Sequence, residues 1–432
     1  MNIHIAHGRV IDPANGVDAY LDLYISQGKI LGQGQEPEGF RAERVIDARG
    51  KLVLPGLVDL CARMPCHAEQ QHEALALELR AALAGGITSL VLTPEPEAGF
   101  DSPGLIQSMQ QRIEALVQVH AYPLGAMTQG LQGEMVSKMG ALAEAGCVAF
   151  SQGNQPLFDT AVLLQAMQYA KTFDYSLWLR AQDPWLSRDG VVASGAYGTR
   201  LGLVGVPVEA ETIALHTLFA LQRATGVRLH LCRVSSAEGV ALVRAAKKEG
   251  MPVTCDVAAS QAHLVDVDIG YYDTQFRLDP PLRSQRDREA IRQALIDGTI
   301  DAVCSDHTLV DTHGKRRPFA QAQAGASGVE LLLSLTLKWA QEARVPLLEA
   351  FARVTSGPGR LLAALSSLAR HAGELSLGAP ADLCIVDPDA YWLVDPNVLV
   401  SQSKHTPFNG MELPGQVLTT LVHGQIVWQR PS

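Results

Sequence analysis

From residue 52 onward, apolar runs of strand length alternate with amphipathic stretches of helix length. The apolar runs lie at 52–62, 86–94, 117–126, 147–152, 175–182, 227–235, 252–258 and 299–307. Each is rich in Val, Ile and Leu and carries few polar residues, the signature of strands buried on both faces. Between them, Glu69 to Ala84, Glu134 to Ala145, Val208 to Thr225 and Ala237 to Glu249 repeat apolar residues at helical spacing. Parallel strands joined by crossover helices satisfy both patterns, and eight such units predict a (β/α)8 TIM barrel with its site at the C-terminal strand ends.

The flanks read differently. Residues 3–11, 20–31 and 45–50 are short β runs with Gly turns, and so are Leu383 to Asp387 and Gly415 to Gln429. The two ends are expected to pair into a small β-sandwich domain (1–51 with 373–432) around a barrel at 52–372. Gly373 to Asp382 would mark the re-entry.

Composition narrows the function classes. The chain has 432 residues, a formal charge of −10 and no apolar run long enough to span a bilayer. That charge argues against nucleic acid or an anionic membrane as partner. Seven scattered cysteines without a CxxC pair fit reduced thiols, and Met1 to Arg9 lacks a basic start followed by an apolar core. A cytoplasmic protein is expected.

Five segments carry a family likeness: Val53 to Leu60 (VLPGLVDL), Ala84 to Ser89 (AGGITS), Tyr272 to Ser284 (YDTQFRLDPPLRS), Asp297 to His307 (DGTIDAVCSDH) and Ser401 to Phe408 (SQSKHTPF). By these the chain resembles dihydroorotase of the amidohydrolase superfamily over essentially its whole length. The resemblance implies the amidohydrolase type of barrel and a metal-bound hydroxide held by histidines and carboxylates.

At the places where the family keeps those ligands, this chain keeps almost none. The first-strand His-x-His pair reads Cys61 and Arg63. The aspartate after Phe150-Ser151 is replaced by Gln152-Gly153, and the fifth-strand histidine by Arg180. The sixth-strand His-x-x-His reads His230-Leu-Cys-Arg233, so only the eighth-strand aspartate, Asp306, survives. The family's substrate contacts fall at Pro65, Glu95, Asp279 and Val310. An arginine is permanently protonated and cannot ligate a cation, so no metal, no cofactor and no catalytic residue are expected.

Removing the cations would strand Asp306, and at least one of the three arginines is expected to pair with it. The histidines have ordinary explanations. His67 and His72 are spaced for exposed helix positions, His230 and Cys232 share a strand face suited to packing, and His307 points away from Asp306. The basic loop Asp311 to Pro318 corresponds to the family's lid, with solvation as its default role.

The family includes silent members that serve as non-catalytic chains of bacterial aspartate transcarbamoylase. The resemblance therefore implies a hetero-oligomer with that enzyme's catalytic chain. Two other readings remain at this level. One is an active amidohydrolase with unusual ligands such as Cys61 and Asp306; the other is a regulatory module binding an anion in an arginine-lined cavity.

Overall fold

The computed structural model describes residues 1–65, 72–96, 99–116, 119–156 and 159–431; His67 and the side chain of His72 lie outside what is described. The barrel strands, numbered one to eight along the chain, begin with Leu57–Arg63, Ile87–Leu92, His120–Ala126 and Ala149–Ser151. Ser176–Leu179, Arg228–Leu231 and Val253–Ala258 follow, and the eighth comes in two pieces, Ala302–Cys304 and His307–Thr308. Neighbours pair in parallel, and His307–Thr308 pairs with Ala62–Arg63 of strand one, which closes the ring. The closure is the fold class that the alternation predicts.

Every residue of strand one and strand two is buried, which explains their largely apolar wording. Val58, Leu60, Val91, Leu124, Trp178, Ala258 and Ala302 pack together in one cluster, while Leu57, Ile87 and Leu90 join a larger one with helix residues such as Leu79 and Leu83. Helices run over His72–Ala84, Met139–Glu144, Glu209–Thr225 and Ala237–Lys248, within a few residues of the amphipathic stretches.

The apolar run at 52–62 is not one strand. Leu52–Pro55 belongs to a six-stranded sheet with Arg9–Asp12, Val17–Tyr20, Leu383–Leu393, Glu412–Val422 and Gln425–Gln429, and only Leu57 onward enters the barrel. Gly56 makes the transfer possible. A Cβ there would stand 2.0 Å from Thr88 Oγ1, so no other residue lets the chain pass this close to strand two. The six-stranded sheet shares a core with a second sheet of four strands, built from Ile3, Ile5, Leu23, Ile25, Val53, Leu383 and Leu421. Both chain ends therefore contribute to one β unit beside the barrel. None of the described helices is long and apolar enough to cross a membrane.

Candidate functional site

The strand ends place three arginines around one carboxylate. Arg63 is the last residue of strand one, Arg180 follows strand five directly, and Arg233 lies two residues past strand six. Asp306 sits in the break of strand eight, held with φ 51, while Arg233 has φ 56. Both are left-handed conformations that cost a non-glycine residue about 1–3 kcal/mol unless surrounding contacts fix them.

Those contacts are charged. Arg63 Nη2 and Nη1 donate to Asp306 Oδ1 at 2.7 and 2.9 Å, and Arg233 Nη1 donates to the same oxygen at 3.0 Å. The two guanidinium groups are 6% and 1% exposed, so the triad lies almost wholly out of water. Arg233 Nη2 also donates to Asn154 Oδ1 at 2.5 Å, a partner that no motif pointed to. Burial opposes the charged form of Arg63, yet Asp306 and Cys61 hold its pKa above the ordinary value.

Arg180 serves a different carboxylate. It grips Asp279 through Nη1 and Nη2, both at 2.5 Å, in a forked arrangement. Burial would raise the Asp279 carboxyl, but Arg180 overrides it and holds the group well below the usual carboxylate range. Two positions read separately in the sequence, one from the ligand set and one from the substrate set, are thus one ion pair.

Cys61 Sγ lies 3.3 Å from Arg63 Nη1, 3.5 Å from Thr93 Oγ1 and 3.6 Å from Asp306 Oδ1. A hydrogen bond from Cys304 pulls the Cys61 thiol below its usual pKa; burial opposes this, and Arg233 and Arg63 reinforce it. Gln152 turns away from the arginines. Its amide oxygen accepts from Thr128 Oγ1 at 2.9 Å and its nitrogen donates to Leu131 O at 2.8 Å. Gly153 has φ 60, and a Cβ would meet the Pro94 carbonyl at 2.4 Å, so the backbone closes that former ligand place.

Glu95 is half-buried and strengthens the charge on Arg63, and Pro65 is buried. Val310 is sealed away, exchanging backbone hydrogen bonds with Ser403 Oγ at 3.3 and 3.2 Å. The 401–408 segment that caps it is itself anchored. Ser401 Oγ and Gln402 N both donate to Glu78 at 2.7 Å, and His307 Nε2 lies 3.1 Å from the same carboxylate.

A zinc ion does not fit these residues. Among the described residues the three donors that come together are His230, Cys232 and Asp256, within 4.8 Å of one another. Both His230 nitrogens are engaged, Nδ1 with Thr254 Oγ1 at 2.9 Å and Nε2 with Asp256 Oδ2 at 3.0 Å. The other Asp256 oxygen takes the Arg233 backbone N–H at 2.6 Å. A zinc site needs about four free ligands, and this group is an internally satisfied hydrogen-bond network. Asp59 is the one carboxylate in strand one. It accepts from Ser305 N at 2.8 Å and Ser305 Oγ at 2.5 Å, tying strand eight to strand one just below Asp306.

Comparison with known proteins places this site in its family. A "Dihydroorotase-like protein" of Pseudomonas aeruginosa is 37% identical over 426 residues, covering 99% of each chain. The chain belongs to the dihydroorotase-like family. The family profile described as Dihydro-orotase-like matches residues 50–239 of this dihydroorotase-like chain. A "Dihydroorotase" of Syntrophotalea carbinolica is 35% identical over 429 residues, again covering 99% of each chain. Among solved structures, L-hydantoinase from Arthrobacter aurescens superposes with a TM-score of 0.87 at 23% identity, covering 100% of this chain and 96% of its own. That likeness shows the fold, a barrel with its flanking β unit.

Proposed function

We propose that this chain is a catalytically silent dihydroorotase homologue that serves as a structural, non-catalytic subunit of aspartate transcarbamoylase in pyrimidine biosynthesis. The observation that carries the reading is the pair of guanidinium groups on Asp306. In a metallohydrolase a cation at this point supplies positive charge, a coordination site and an activated water. Arg63 and Arg233 supply the charge and fill the volume but provide neither of the other two. Cys61, the other possible donor at these places, accepts a hydrogen bond from Arg63.

The partner comes from the sequence resemblance. It also accounts for a barrel that keeps its outer form, including the anchored 401–408 segment, after its ligand set has gone. A scaffold needs its outer surface and its stability, and both outlast the metal.

A second reading has one observation in its favour: relatives 35% and 36% identical over nearly the whole chain carry the name dihydroorotase. In that reading the chain is an active cyclic amidohydrolase with unusual ligands.

One preparation tests both. The chain is purified without chelators, its metal content is measured, and dihydroorotate turnover is assayed on the same sample. It is then mixed with the aspartate transcarbamoylase catalytic chain of the same organism. Absence of bound metal and of turnover, with co-elution of the two chains and a gain in transcarbamoylase activity, is the expected result. About one metal per chain with turnover would favour the second reading, and failure of the chains to associate would remove the scaffold role.

A further inference from the structure

The arginines on the former ligand places are largely neutralised by Asp306 and Asp279. The excess positive charge lies next to them, under the 311–318 loop. Lys315 is 3% exposed, and among the described residues its ammonium has one hydrogen-bond partner, the Arg277 carbonyl at 3.0 Å. Arg277 Nη1 donates to Leu278 O at 3.1 Å, while its Nε is buried without a partner. His405 Nδ1 faces Gln275 Nε2 at 3.2 Å. An amide nitrogen is a donor, so Nδ1 accepts and the ring proton sits on Nε2, which is also buried without a partner.

These three residues share one neighbourhood, Lys315 acting electrostatically on His405 and Arg277 on Lys315. Thr274 Oγ1 bonds to Lys315 O at 2.7 Å, Gly325 N to Arg277 O at 3.0 Å, and Ser327 N to His405 O at 2.7 Å. Every unmet group is a donor. Among the described residues no carboxylate forms an ion pair with Lys315 or Arg277. Asp273 and Asp279 act on them only through space. Burying cations without a paired carboxylate is costly, and here buried Lys315 and half-buried Arg277 lie beside an imidazole donor.

We propose that Lys315, Arg277 and His405 form a binding site for a phosphate-sized oxyanion, either free phosphate or the phosphate group of a small ester. A tetrahedral dianion matches the two positive charges, where a single carboxylate would offset only one. The site stands apart from the arginine triad and does not depend on whether the barrel turns over a substrate.

The electrostatics agree with this geometry. Burial pushes the Lys315 ammonium down to about 7, helped by Arg277 and opposed by Asp273. Burial likewise lowers His405, with Lys315 and Arg316 adding to it and Asp311 opposing. A bound dianion would draw a proton onto Lys315, so binding takes up protons near neutral pH and weakens as pH rises.

The test uses the full chain at pH 6.5 and constant ionic strength, with chloride replaced stepwise by inorganic phosphate and, separately, by glycerol 2-phosphate. The expected result is a saturable rise in Tm of several degrees that is lost in Lys315→Met. That variant should be at least as stable as the parent in chloride, because it removes an uncompensated buried charge. A general salting effect of phosphate would raise both proteins alike. An equal rise in parent and variant, or no rise in the parent beyond chloride, overturns the proposal. Should Lys315→Met fail to fold, calorimetry of phosphate binding to the parent in two buffers of different ionisation enthalpy decides: proton uptake on binding supports the site, and absence of binding heat removes it. A stronger response to the ester than to phosphate identifies an esterified ligand, and the reverse identifies the free ion.

Discussion

Arg63 and Arg233 approach the same oxygen of Asp306, at 2.7 and 3.0 Å. Asp306→Ala would leave two buried guanidinium groups facing each other without a counter-charge. The expected loss is about 3–5 kcal/mol, read from urea unfolding. Arg63→Met should cost less, because Arg233 still neutralises Asp306. A triple change of Arg63→Met, Arg233→Met and Asp306→Leu should recover much of the stability lost in Asp306→Ala. A triple variant weaker than Asp306→Ala would show that the triad does more than balance charge.

Metal removal should not matter to the fold. Dialysis against a chelator is expected to leave Tm within about 1 °C of the untreated protein, well inside the shift that roughly 1 kcal/mol would produce. A drop of many degrees, restored by zinc, would mean that a cation is held after all.

Arg180 and Asp279 predict an acid limb. Their pairing holds the Asp279 carboxyl below its ordinary value. Such a group contributes stability that is present above about pH 4 and lost as pH falls through the native value. Asp279→Asn should be less stable at pH 7, and the gap between parent and variant should narrow as pH falls below about 4. A gap independent of pH would contradict the pairing.

Asp59 predicts the opposite slope. Burial raises its carboxyl to about 6, against the hydrogen bonds from Ser305. The native state therefore holds this proton more tightly than the unfolded chain. The contribution is fully present below about pH 4 and fades as pH rises through about 6. Asp59→Asn should flatten the stability profile across that window, and an unchanged profile would assign the proton elsewhere.

Gly153 predicts a backbone limit. With φ 60 and the Pro94 carbonyl 2.4 Å from any Cβ, Gly153→Ala should lose about 1–3 kcal/mol in thermal or urea unfolding. A neutral substitution would mean that the loop can shift to open this place.

The barrel itself was legible because its cause is local. A strand buried on both faces must be apolar at every position, and a covering helix must be apolar on one side, so the period changes visibly along the chain. The split at Gly56 is invisible in the pattern because Leu52–Pro55 runs directly into the apolar start of the barrel strand at Leu57 and Val58. Two different cores demand the same wording, and only the contact with Thr88 separates them.

The residue types at the places where the resemblance implies ligands could likewise be read one at a time, since the identity of Arg63 or Gln152 alone decides what it can coordinate. Partnership could not be read in this way. That Arg180 belongs to Asp279, that Asn154 supports Arg233, and that Lys315 and Arg277 lie together with no paired carboxylate among the described residues depend on loops tens of residues apart meeting at one end of the barrel. Sequence settled which side chains carry charge. The tertiary fold decided which charges are buried together, because the cost of burying a charge depends on its neighbours in space rather than along the chain.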